Sequence, residues 1–336
     1  MLIEQALFSL PEVLTGGGYP KQDYEGGIVA ALGQSLLQEL NGRNAVNPLS
    51  HLIAERLYLK TGFAGANGKN RYLRADLHLN LKPLRLGTKR LSGFGWRHSN
   101  WIEAKFFRRP RSGASPTTSN AGHIVADLVR LVALVPIEKP KDKDAHDDAA
   151  NAEAAADGDG GSVVHQRLYS GRYLLHVYDG EPENLLAFSR NKTKYGDAGE
   201  RNWLKTLIEP GEHKVSDFEL DQEGNSFIKP LNRRLEDTEL TLNVTNFVVK
   251  PVADSSSAKT AYWCVLTRID SFSITVADLT WEVDANRQGK ESEAGAYKAI
   301  RDHVGRFVHL AAGEDQPPDA DELDVVDVED SDDEDS

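Results

Sequence analysis

The sequence predicts an α/β (α+β) protein in which helices and strands interleave first, followed by a mostly β region and a closing helix. Three observations predict this. Within residues 26–40, Ile28, Leu32, Leu36 and Leu40 recur at i+4, the spacing of one helix face. Within residues 72–81 the pattern changes to alternation: Asp76, His78 and Asn80 fall on one side, and Leu77, Leu79 and Leu81 on the other. Residues 240–252 and 262–276 read as strands alone, as a hairpin or meander.

The remaining elements follow in order. Gly16-Gly17-Gly18 lacks the Gly-Lys-Ser/Thr ending of a phosphate-binding loop and reads as a turn. Asn47 followed by Pro48 reads as an N-cap and a proline at the first helical position. The helix it would open carries Leu49, Leu52, Ile53, Leu57 and Leu59 and ends near Gly62. Residues 101–107 form a second strand, apolar except at Glu103 and Lys105. Residues 122–135 return to helical spacing through Ile124, Leu128, Leu131 and Val135. Residues 172–178 form a short strand of buried type, and residues 203–208 read as helical. The closing helix, 291–312, aligns Tyr297, Ile300, Val304, Phe307 and Ala311.

Composition bounds the setting. The chain has 336 residues, 40% of them hydrophobic, enough to bury a sizeable core. Its one cysteine, Cys264, excludes an internal disulfide and lies in an apolar strand as a core residue. The first residues carry Glu4 and Glu12 and no basic stretch, unlike a signal peptide. No run approaches the roughly 18 apolar residues of a membrane span. These features predict a soluble, cytoplasmic protein that does not associate with a membrane.

The net charge of −13 is unevenly distributed. Residues 313–336 carry 13 acids and no Lys or Arg, and read as a disordered acidic tail. Residues 137–161 carry 8 acids against 3 bases and read as an acidic disordered loop between foldable regions. Residues 1–136 net +8 and residues 162–312 net −3. The expected domain plan is therefore 1–136, then the loop 137–161, then 162–312, then the tail 313–336.

The chemistry concentrates where acids are rare. Between Glu55 and Asp127 the only acids are Asp76 and Glu103, while residues 56–126 hold 14 Lys and Arg. Both acids fall on expected strands, and the period of two places Lys105 on the same face as Glu103. If the strands pair, Asp76, Glu103 and Lys105 converge. Two adjacent carboxylates repel, and a divalent cation relieves that repulsion. All-oxygen ligands favour Mg²⁺ or Mn²⁺ over zinc. Such a metal binds a phosphate oxygen and activates water, a nearby Lys orients that water, and a cationic surround attracts a polyanion. The bland alternative is a solvated Glu–Lys pair on a strand face.

Arg74-Ala75-Asp76-Leu77-His78-Leu79 followed by Trp101-Ile102-Glu103-Ala104-Lys105 resembles the core of the PD-(D/E)xK nuclease superfamily, which includes restriction endonucleases. Ala75 stands where many members carry proline. Asp127-Leu-Val-Arg130 is similar to the acid and base on the helix that follows in that family. The resemblance spans about residues 25–180; residues 181–312 match no subfamily. It implies a restriction-endonuclease-like αβββαβ core with a central mixed sheet flanked by helices, the nuclease core beginning in 1–136 and completed in 162–312 beside a β-rich accessory region. It implies a Mg²⁺- (or Mn²⁺-) dependent endonuclease acting on DNA, with RNA as the open alternative, in restriction or antiviral defence. A homodimer or a larger defence complex is the implied assembly. Asp76, Glu103 and Lys105 would be catalytic, Asp76 and Glu103 holding the metal. Some members add a Glu from the preceding helix; Glu55 is the candidate here, with Glu39 and Glu25 behind it. The alternative on the same fold is an inactive nucleic-acid- or protein-binding module with an acidic interaction tail.

Further residues have two readings each. Residues 82–100 mix Lys89, Arg90 and Arg97 with Phe94, Trp96 and His98, which suits phosphate and base contact; the other reading is a polar hairpin connection with Trp96 in the core. Arg108, Arg109 and Arg111 suit a phosphate backbone or form a solvated basic loop. His78 shares the Asp76 face, as a neighbour of the metal or as a structural hydrogen bonder. Glu212-His213-Lys214 repeats the Glu-x-Lys pattern but follows Pro210-Gly211 and reads as a turn.

Overall fold

A computed structural model describes residues 2–16, 25–58, 63–64, 70–71, 73–81, 97, 99–108, 119–135, 170–186, 206–219, 238–251, 262–276, 279–283 and 300. Two helices open it, α1 (Leu2–Gly16) and α2 (Glu25–Gly42). A 3₁₀ turn at Pro48–His51 leads into β1 (Leu52–Leu57). Then come β2 (Phe63–Ala64), β3 (Asn70–Arg71), β4 (Arg74–Asn80), β5 (Ser99–Phe107) and helix α3 (Ser119–Leu134). Strand β6 (Gly171–Asp179) and the one-turn α4 (Pro182–Leu185) follow, then β7 (Gly211–Glu219), β8 (Thr238–Val249), β9 (Tyr262–Val276) and β10 (Leu279–Val283).

The main sheet runs β1-β4-β5-β6-β9-β8-β7, with β10 also paired to β9. It is mixed: β5 and β6 are parallel, with α3 between them in the chain, and the other neighbours are antiparallel. At the parallel join Gly171 lies level with Asn100, and a Cβ there would strike the Asn100 side chain. The sheet separates two cores. On one face α1 and α2 pack Leu7, Leu32 and Leu36 against Leu77, Leu79, Ile102 and Leu175. On the other, α3 packs Leu128 and Val132 with Trp101, Leu174 and Tyr178. Buried Arg172 on β6 fixes the end of α3: its Nε donates to the Leu131 carbonyl at 2.9 Å and its guanidinium lies over the Phe272 ring at 5.0 Å.

The structure is therefore α/β with a mixed sheet, and most expected elements are present. Three differ. Residues 48–58 are not a helix, and 59–62 lie outside the described residues. Asn47 adopts a left-handed backbone (φ 52) without a side-chain cap, the 3₁₀ turn ends at extended Leu52, and β1 pairs with β4 from Leu52↔Leu79 to Leu57↔Arg74. The apolar spacing there was helical, but Leu49 is 68% and Ile53 41% exposed; pairing with β4 outweighs local propensity. Residues 212–214 are not a turn but part of β7, the edge strand opposite β1; Gly211, at φ 111, opens the strand. Helix α1 was not anticipated. Pro11 interrupts its pattern by removing a backbone donor, yet Leu7, Leu10 and Leu14 are buried on one face through the proline.

Leu207 and Ile208 are buried in a turn, Ile300 belongs to the α3-side core, and Cys264 is buried. Residues 203–205, the rest of 291–312, the loop 137–161 and the tail 313–336 lie outside the described residues. No helix among the described residues is long and apolar enough to cross a membrane.

Candidate functional site

The β4–β5 register sets the site. Leu77 pairs with Ile102 and His78 with Trp101, so Asp76 lies level with Glu103 one step further. Alternation puts Asp76, Glu103 and Lys105 on the α3 side of the sheet. Asp76 Oδ2 accepts from the Ala104 backbone N–H at 2.6 Å. Glu103 is 2% exposed.

Helices supply the rest of the cluster. From α3, Arg130 places Nη2 3.3 Å from Glu103 Oε1 and Nη1 3.2 Å from Asp127 Oδ1, and Nη2 also donates to the Arg74 carbonyl at 3.0 Å. Lys105 Nζ lies 3.0 Å from Oε1 of Glu25, the first residue of α2, and 3.6 Å from Asp127 Oδ2. Tyr58, just after β1, donates its hydroxyl to Glu103 Oε1. Three carboxylates, those of Glu25, Glu103 and Asp127, thus share two cations, and Asp76 lies beside Glu103 as a fourth.

Burial dominates the electrostatics. It pushes the Glu103 carboxyl well above the usual carboxylate range, against the pull of Arg130 and with the repulsion of Asp76 and Asp127 added. Burial likewise raises Asp76, although the Ala104 amide opposes it, and raises Glu25 against the pull of Lys105. Burial acts to lower the Lys105 ammonium, but Asp127 and Glu25 outweigh it and hold its pKa above the ordinary lysine value.

The donor set fits a hard divalent cation. It is all oxygen, which suits Mg²⁺ or Mn²⁺. With every group ionised, Asp76, Glu103, Asp127 and Glu25 against Lys105 and Arg130 carry a net −2, the charge such an ion balances. Asp127 Oδ2 is buried and accepts no hydrogen bond. Among the described residues no group of three or more His, Cys, Asp or Glu is arranged around a metal position. Two carboxylates, with water and substrate oxygens completing the shell, are a usual Mg²⁺ arrangement. Asp76 and Glu103 are the pair that would hold it.

The structure brings together Asp76, Glu103 and Lys105, together with Glu25, Asp127 and Arg130. Glu55 is on a strand, not a helix. The rungs Ala54↔Leu77 and Arg56↔Ala75 place it level with Asp76, but its backbone is left-handed (φ 52) and its side chain exposed. Glu39 pairs with Arg43 at 4.0 Å on α2, away from the cluster. Arg97 and exposed Arg108 flank opposite ends of β5, a strand about 30 Å long, and do not form one patch. Lys89, Arg90 and Arg109 lie outside the described residues, as do Phe94, Trp96, His98 and Arg111. His78 is a structural hydrogen bonder: Nε2 pairs with Ser99 Oγ at 2.8 Å and Nδ1 with Arg56 Nη1 at 3.0 Å. Tyr58 was missed because its segment read as helix; no motif marks it. Compared with known proteins, the chain matches no family model, no curated protein and no solved structure.

Proposed function

We propose that the protein is a metal-dependent nuclease of restriction-endonuclease-like fold, hydrolysing phosphodiester bonds of DNA. The convergence of Asp76, Glu103 and Lys105 in one buried cluster carries this reading. The run α2–β1–β4–β5–α3–β6 supports it: three antiparallel strands, then a fourth parallel to the third after a helix. That is the order the PD-(D/E)xK resemblance implies.

Mg²⁺ held by Asp76 and Glu103 would supply neutralisation of phosphate charge and an activated water. Asp76 and Glu103 hold the ion's place, each with one oxygen anchored by the protein. Lys105 has three N–H donors; Glu25 engages one at 3.0 Å, Asp127 faces the ammonium at 3.6 Å without a hydrogen bond, and another donor orients the attacking water. Asp127 and Glu25 keep that ammonium charged and aimed. Arg130 neutralises charge developing on the phosphoryl oxygens. A role in restriction or antiviral defence follows from the resemblance alone.

A second reading is an inactive binding module on the same fold. One observation favours it: Lys105 and Arg130 already engage the carboxylates, so the cluster can be held by internal ion pairs. Cleavage decides. Purified full-length protein is incubated with labelled duplex DNA, single-stranded DNA and RNA in Mg²⁺, Mn²⁺ or EDTA. The nuclease reading expects metal-dependent cleavage that Asp76→Ala and Glu103→Ala each abolish without unfolding. Full activity in both variants removes the site assignment. Absence of cleavage under every metal and substrate favours the binding module.

A further inference from the structure

Tyr58 sits where three parts of the site meet. Its backbone N–H donates to the Leu73 carbonyl at 3.1 Å, tying the end of β1 to the residue before β4. Its ring is buried and stacks on Trp101, with centroids 5.2 Å apart and planes 16° apart. Trp101 is held in turn by His78, edge-on at 4.7 Å, and by the Arg56 guanidinium 5.2 Å from its centroid. The stack packs the ring, and the hydroxyl at its far end is held by its own hydrogen bond to Glu103.

That hydroxyl donates to Glu103 Oε1, which also faces Arg130 Nη2 at 3.3 Å. Two donors therefore hold one Glu103 oxygen. Asp76 is treated in parallel, with Oδ2 fixed by the Ala104 amide at 2.6 Å. One oxygen is thus anchored on each side, and the β4–β5 register sets the two carboxyl groups side by side. A carboxylate held by a hydrogen-bond partner behind it loses less freedom on taking a cation, and losing such partners typically weakens metal affinity about 10–100-fold.

We propose that Tyr58 is a positioning residue whose hydroxyl anchors Glu103 so that Glu103 and Asp76 together take a divalent cation. The role rests on the metal-dependent reading above. It separates the functions of the ring and the hydroxyl: the ring packs on Trp101, and the oxygen orients a ligand.

The test uses full-length protein dialysed against EDTA and then exchanged into chelator-free buffer. Mn²⁺ alone is titrated calorimetrically into wild type, Tyr58→Phe and Trp101→Phe, and a urea midpoint is recorded for each. Tyr58→Phe keeps the stacked ring and is expected to fold and to bind Mn²⁺ about 10-fold more weakly. Trp101→Phe shrinks the stack but keeps the hydroxyl; it is expected to lower the urea midpoint and leave Mn²⁺ affinity within about twofold, well short of the loss for an outer ligand partner. If wild type binds Mn²⁺ and Tyr58→Phe binds it equally well, the positioning role is overturned and the metal site stands. Equal weakening in both variants means that general loosening is responsible, and also overturns it. If wild type binds no Mn²⁺, the metal-dependent reading fails and the role of Tyr58 falls with it.

Discussion

Arg130→Met should destabilise the fold sharply, and Glu103→Gln should partly restore it. The guanidinium lies 3.3 Å from Glu103 Oε1 and 3.2 Å from Asp127 Oδ1. At such a distance and an effective dielectric near 20, one charge pair contributes about 5 kcal/mol gross, so two contribute about 10. Several kcal/mol are offset, because Arg130 no longer has to be desolvated. Glu103 can also take up a proton, a direction its raised pKa already favours. The net expectation is a loss of about 3 kcal/mol, the lower end for breaking a buried pair by removing one partner. For a domain of this size that lowers Tm by about 6–12 °C. Methionine fills much of the arginine's volume, so the loss reports charge more than cavity. In the double variant Glu103→Gln removes one of the two abandoned carboxylates and should recover about half the loss, a coupling that a double-mutant cycle measures. Urea unfolding of the four proteins at neutral pH gives all the terms. A loss under about 0.5 kcal/mol for Arg130→Met, within the usual range for a surface change, would refute the reasoning, as would a double variant no more stable than the single.

Two other perturbations test parts of the molecule away from this pair. His176 is fully buried between Tyr178 Oη (3.0 Å) and Thr267 Oγ1 (3.3 Å), and burial lowers its pKa to about 3 from 6.5. A neutral histidine that must charge on unfolding makes stability present above pH 6.5 and lost as pH falls toward about 3, at up to about 1.4 kcal/mol per pH unit; His176→Gln should flatten that slope in urea titrations, and an unchanged slope would show that other groups cause it. Deleting residues 313–336, which hold 13 acids, should tighten duplex binding at low salt by freeing the +8 segment 1–136 from competition, with the gain shrinking as salt rises. Equal binding by both forms at every salt concentration in fluorescence titrations would assign the tail another role.

Much of the site-bearing part was legible because its residues obey one period each. Asp76, His78 and the leucines between them alternate, and β5 and α3 are similarly regular, so strand and helix assignments there needed no tertiary knowledge. What the sequence could not supply was competition between partners. Leu49, Leu52, Ile53 and Leu57 have helical spacing, but once β4 offers an open edge, backbone pairing and the left-handed Asn47 redirect the segment into β1. The same misreading concealed Tyr58, whose relation to Glu103 exists only across strands 45 residues apart in sequence. In α1 the apolar face was visible residue by residue, and Pro11 obscured it; only burial of Leu10 and Leu14 on either side explains why the helix continues. In β7, Pro210-Gly211 marked the turn and bend at 207–210 but not where they end: the glycine begins the strand.

The charge count shows how local reading and tertiary structure combine. Along the chain, the window between Glu55 and Asp127 contains two acids and a Lys in the Glu-x-Lys pattern, which by themselves carry −1. Folding adds Asp127 with Arg130 from α3, and Glu25 from the start of α2, giving four acids against two bases. Each added acid touches Lys105, whereas Arg130 alone bridges Glu103 and Asp127. The helices therefore do different work at the two ends of the cluster: α2 and Asp127 hold a lysine in its charged form, and Arg130 and Tyr58 hold a carboxylate in place. A Glu-x-Lys pair on a solvated strand face would need neither. Enclosing both residues, with a residual −2, costs stability that the pair alone does not explain; on the metal-dependent reading proposed above, a divalent cation shared by Asp76 and Glu103 would offset that cost.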